Sequence, residues 1–218
     1  GNWQGWIEFN SRKIEVSPEL WLGTRDRSWG IRPVGLPDAQ PNPQAPDINQ
    51  FYWLWAPINW PDGVSLYHLN DDADGKPWNT AGMFIPLIGE ARPMRRVRSE
   101  IEFISGTRHA KSALITLQGF DGSVAEISMR PRFHWYMKGV GYGHSNFGHG
   151  HYHGGDAQLF EEYALAAVDD ALNLHIQAIC DVTMEGDLGR HSGRGVLEQL
   201  ILGPHAPSGF TDLLDMAP

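Results

Sequence analysis

The chain has 218 residues, enough for one large domain or two small ones, and a net charge of −9, which excludes a broad phosphate-binding face and nucleic acid as a first partner. Gly (25) and Pro (15), with nine Trp, nine Phe and six Tyr, exclude a helical bundle and a disordered chain and point to short strands joined by turns. A lone cysteine, Cys180, excludes an internal disulfide and a Cys-rich zinc site; following Ile176 to Ile179 it reads as a small buried hydrophobe.

From the N-terminus, Trp6–Phe9, Lys13–Val16 and Leu20–Leu22 carry the alternating character of strands. The segment Gly23-Thr24-Arg25-Asp26-Arg27-Ser28-Trp29-Gly30-Ile31-Arg32, if extended, places Arg25, Arg27, Trp29 and Ile31 on one side and Asp26 and Arg32 on the other. Guanidinium groups beside Asp26 would hold its carboxylate ionised. The network then either closes one end of a barrel, with Trp29 as plug, or touches a ligand directly. On the first reading Asp26→Ala costs about 3–5 kcal/mol, because buried arginines lose their partner.

Residues 33–50 hold prolines at 33, 37, 41, 43 and 46, cannot join a central sheet, and read as a long loop near a strand end. Strand patterns resume at Phe51–Ile58, Val64–Leu69, Gly82–Ile85, Arg95–Ile104, Ala113–Gln118, Val124–Met129 and Phe133–Met137. Asp121-Gly122 between two of them is a hairpin signal. A Gly/His tract at 139–156 follows, in which His149, His151 and His153 alternate. An extended backbone would present these three imidazoles to one side, where they could hold zinc or another divalent metal with a position open for water. The competing readings are a solvated loop without a resident metal and a role in ligand entry or pH response. The stretch Gly155–Asp170 is helix or strand, and Leu174–Met184 and Gly195–Leu202 complete the strand series.

About a dozen short, mostly antiparallel strands must protect their edges, and a closed barrel does so completely; a β-sandwich is the competing solution. Among aromatic residues, Trp53, Trp55 and Trp135 are available to line an apolar pocket.

The Gly23–Arg32 segment, with its Gly-x-Arg-Asp-x-Ser-Trp-Gly-x-Arg pattern, resembles the signature of AttH-like, carotenoid-hydratase-type proteins, and Glu185–Glu198 is similar to the closing strands of bacterial members. The resemblance implies an all-β, antiparallel lipocalin-like (calycin-type) β-barrel, here expected as a single domain over 1–218 with long loops and at most one short helix. It also implies handling of a hydrophobic small molecule, an isoprenoid, steroid or other lipid-like compound, with Arg25, Asp26, Trp29 and Arg32 organising the pocket end. Members usually carry two barrel halves, and this chain looks like the second, so a second lipocalin-like domain or another copy is an expected partner. Hydratase- or cyclase-like chemistry on an alkene needs a carboxylic acid kept neutral by burial; Glu198, among Val196, Leu197 and Leu200, and Glu126 are the candidates. The alternatives are a non-catalytic barrel module supporting a partner domain and a His-coordinated metalloenzyme. No apolar run reaches the ~18–20 residues of a membrane span and no signal-peptide pattern opens the chain. The cytoplasm is therefore the default compartment, although a start at Gly1 rather than Met is compatible with a processed or excised piece.

Overall fold

A computed structural model describes residues 1–27, 49–137, 147, 153–169 and 173–218. Of the expected features, Trp29, Arg32, His149 and His151 lie outside the described residues. So does the Pro-rich loop, except for Asn49 and Gln50, which lead into the first barrel strand.

Eight antiparallel strands form a closed, lipocalin-like barrel in up-and-down order. They are β3 (Phe51–Trp60), β4 (Gly63–Asp71), β5 (Pro77–Pro86), β6 (Arg92–Phe103), β7 (Ala110–Gly119), β8 (Val124–Tyr136), β9 (His175–Gly186) and β10 (His191–Leu202). Pairing of β10 with β3, from Arg194↔Asn59 to Leu202↔Phe51, closes the ring. Period-two patterning dictates which side chains enter it. Leu54, Ala56 and Ile58 of β3, Ile115 and Leu117 of β7, Ile127 and Met129 of β8, and Ala178 and Met184 of β9 are each at most 1% exposed. These side chains pack into one cluster that fills the middle of the barrel. Cys180 belongs to this core, and burial pushes its thiol up to about 12, so it is an inert hydrophobe at neutral pH.

The two ends of the barrel differ. At one, the strands are joined by the short turns 61–62, 87–91, 120–123 and 187–190. The Asp121-Gly122 turn forms as its sequence predicts, with Gly122 at φ 88° and the Gly119 N–H donating to the Ser123 carbonyl at 2.8 Å. Trp60 closes this end, its indole donating to Ser65 Oγ at 3.0 Å, beside His191, which bridges Asp62 and the Leu188 carbonyl. All long connections leave from the other end, where β3, β5, β7 and β9 begin and β4, β6, β8 and β10 finish. The weakest seam is β5–β6, joined by only the pairs Met83↔Pro93 and Phe84↔Arg92.

Outside the barrel, β1 (Gly5–Phe9) and β2 (Arg12–Val16) form a separate two-stranded hairpin. Asn10 and Ser11 turn it with φ of 47° and 60°, both left-handed as a tight primed turn demands. The segment 153–169 contains only a single 3₁₀ turn, Leu165–Ala167. Of the two alternatives for this stretch, helix or strand, neither forms among its described residues; most of its side chains are exposed, and a short helix without a buried face has little to hold it in water.

Candidate functional site

The aromatic residues singled out by sequence come together, but on the outside of the barrel. β3 alternates with Leu54, Ala56 and Ile58 inward, so Trp53 and Trp55 face outward. In β8 an irregularity between Pro131 and Phe133 shifts the phase, and Trp135 and Phe133 emerge at 59% and 44% exposure. These tryptophans therefore do not line the barrel interior, which is already occupied by aliphatic side chains. Strand register instead sets Trp135 beside Gln177, Gln177 beside Glu198, Glu198 beside Trp55, and Trp55 beside His68 in one row across β8, β9, β10, β3 and β4. Four strand spacings of ~4.8 Å make this row about 19 Å long. A parallel row of Phe133, Ile179 and Val196 flanks it.

Glu198 is the polar centre of that strip. Its carboxylate, 14% exposed, accepts from Gln177 Nε2 at 2.7 Å, His175 Nε2 at 3.1 Å and Trp53 Nε1 at 3.3 Å. Burial opposes its ionisation, but the hydrogen bonds from His175 and Gln177 and the neighbouring imidazole outweigh it and hold the carboxyl below the usual range. At neutral pH the group is therefore a charged acceptor and not the neutral acid that alkene protonation needs. Trp53 also stacks on His68, with ring centroids 5.6 Å apart, and His68 contacts Asn79 Oδ1 at 3.3 Å. Glu126, the other carboxyl candidate, stands exposed on the solvent side of β8.

The long-loop end is capped by a polar cluster that the sequence reading missed. Arg108, wholly buried, donates to the carbonyls of Asp215 at 2.6 Å, Gly203 at 2.8 Å and Asp212 at 2.8 Å, pairs with the Asp215 carboxylate, and stacks 4.2 Å over Phe210. Gln199 continues the cap, accepting from the Ala110 N–H at 2.9 Å and donating to the Arg108 carbonyl at 2.6 Å. Nearby, His205 stacks on Tyr52 at 3.9 Å, contacts Ser208 Oγ at 2.7 Å, and lies 3.4 Å from Asp71. Among the described residues, Arg108 is the arginine that closes this end of the barrel. Arg25 and Asp26 are exposed and outside any strand, where water competes with any ion pair. Gly23 instead serves the base of the hairpin: its N–H bonds the Gly1 carbonyl at 2.8 Å, and a Cβ there would fall 1.7 Å from the Trp3 indole nitrogen.

His153 is exposed and stacks on Phe147 at 4.1 Å. Among the described residues no group of three or more metal-ligating side chains converges. An open groove of about 670 Å³ lies over β6–β9, sharing β8 and β9 with the strip, and is lined by Glu100, Glu102, Arg130 and Asp181 with Ile101, Leu114 and Met129 between. Its charged lining contrasts with the aromatic strip. No helix among the described residues is long and apolar enough to cross a membrane.

Fold and surface together define a class: a filled, eight-stranded up-and-down β-barrel carrying an aromatic strip on its outer wall near the long-loop end. Within that class the chain belongs to a family of unknown function (DUF8625), whose model matches residues 1–211 and so includes both hairpin and barrel. No curated protein and no solved structure matches the chain.

Proposed function

We propose that the protein binds an elongated apolar small molecule, isoprenoid- or steroid-like, along the strip that runs from Trp135 past Glu198 to Trp55 and His68. The observation that carries this reading is the register, which sets Trp135 of β8 and Trp55 of β3 in one row with the ionised Glu198 between them, while Trp53, the next outward residue of β3, donates to the same carboxylate. Mostly apolar walls with a few fixed polar groups are the usual composition of a small-molecule site. A row about 19 Å long suits an extended chain or fused-ring skeleton better than a compact ligand. Glu198 and Gln177 offer an acceptor and an amide to a hydroxyl at one position along it. The isoprenoid class is also what the resemblance to carotenoid-hydratase-type proteins implies.

Titration with farnesol and with progesterone, read by intrinsic tryptophan emission, tests the proposal. Saturable quenching is expected, and Trp135→Ala should weaken it about tenfold, or ~1.4 kcal/mol, without lowering the melting temperature. Absence of any saturable change with either probe, together with native mass spectrometry showing no retained small molecule, would overturn it.

A further inference from the structure

The hairpin presents a second apolar surface, separate from the aromatic strip. Ile7 and Ile14 are paired directly across β1 and β2, and on their side of the ribbon stands Phe9. Ile7, Phe9 and Ile14 are 48%, 42% and 41% exposed. Phe9 contacts Phe160 at a centroid distance of 5.6 Å, which joins the hairpin to the segment bearing Tyr163 and Leu165. Phe160, Tyr163 and Leu165 are 64%, 44% and 56% exposed.

An isolated two-stranded hairpin is marginal in water and needs a third strand or a packed face. Here β1 and β2 pack on each other and not extensively on any barrel strand. Their base is held by the terminal amine of Gly1, which donates to the Gly23 carbonyl and to Asn59 Oδ1, each at 2.9 Å. The six exposed side chains offer about 100 Å² apiece, half of the ~200 Å² that large apolar groups bury in full. That is about 600 Å² before backbone and polar atoms are counted, close to the ~800 Å² per partner of a standard interface.

We propose that this face docks on the same face of a second copy of the chain about a two-fold axis. The charges decide between an identical partner and a complementary one. Although the whole chain carries −9, the hairpin is neutral, with Glu8 and Glu15 balanced by Arg12 and Lys13, and Lys13 bonded to Glu15 at 2.9 Å. Glu8, Lys13 and Glu15 stand on the far side of the ribbon, so the apolar face itself carries Arg12, across from Phe9, at one end and Glu161 and Glu162, next to Phe160, at the other; a face with both signs is self-complementary, since in an isologous contact each copy supplies what the other lacks.

Light scattering on the full chain between about 1 and 100 µM, the range set by a modest interface, reads the result. The expected outcome is a mass twice that of the chain, falling to one chain mass in Ile7→Lys and in Phe160→Glu with circular dichroism unchanged. Phe160→Glu leaves both hairpin strands intact, so it decides the matter if Ile7→Lys disturbs the ribbon. Protection of the amides in β1 and β2 against exchange should also rise with protein concentration. A wild-type chain that stays monomeric at the highest concentration, or a dimer that survives both substitutions, overturns the proposal.

Discussion

Arg108 satisfies three backbone carbonyls and one carboxylate with no exposed surface of its own. Its planar fork is what allows this, since a lysine ammonium cannot present donors in that geometry. Arg108→Met should therefore lower the unfolding free energy by about 3–5 kcal/mol, as for a broken buried pair, and Arg108→Lys should recover little of it in urea melts. Asp26→Ala, by contrast, should leave the melt within about 0.5 kcal/mol of wild type, as an exposed site does. Glu198 makes a pH-dependent prediction. Its folded-state pKa lies below the ordinary 4.5, so between those values the unfolded chain binds the extra proton. The stability it contributes is present above pH 4.5 and lost as pH falls through the folded value. Glu198→Gln should flatten that acid limb in urea melts from pH 6 downward; an unchanged slope would remove the carboxylate from this role. At this scale the sequence put forward Glu198 as a carboxylic acid in apolar surroundings and Trp53, Trp55 and Trp135 as walls of a pocket, and the fold gathers them on one outer wall. The sequence could not tell inside from outside. Trp53 and Leu54 are both large and apolar, and only closure of the ring decides which one enters. Arg108 was hidden for another reason: its partners Gly203, Asp212 and Asp215 are carbonyls and a carboxylate about a hundred positions away.

Strands were the most legible elements, since period-two alternation is a direct trace of one-sided burial. Phe51–Trp60 and Ala110–Gly119 match their patterns with small shifts at the ends. Gly155–Asp170 stayed open between helix and strand because Ala, Leu and Glu favour helix intrinsically, while formation depends on a face to bury. The hairpin gives an element-scale prediction. Ser11 adopts a left-handed conformation that costs a non-glycine residue roughly 1 kcal/mol. Ser11→Gly should remove that strain and slow amide exchange within β1 and β2, with the barrel strands unaffected. Faster exchange there would show that the serine side chain contributes more than its backbone costs.

For the molecule as a whole, asymmetry between the ends assigns their tasks. Tight turns and Trp60 fix one end, while the aromatic strip, the Arg108 cap and the long connections gather at the other. Because closing the ring pairs Arg194 of β10 with Asn59 of β3, 135 positions earlier in the chain, refolding should take milliseconds to seconds. Stopped-flow tryptophan emission with a microsecond relaxation would contradict this.

The same seam has a consequence during synthesis. A chain emerging from the ribosome can lay down the meander from β3 to β9 strand by strand, but it has no ring until Leu202 is free. Until that moment the outer edges of β3 and β9 both stand open, each with a row of unpaired backbone groups ready to accept any passing strand. The interval between the exit of Gly186 and of Leu202 is therefore when the chain is most open to pairing with another strand, and a stall placed there should yield aggregates that the same stall placed well beyond Leu202 does not.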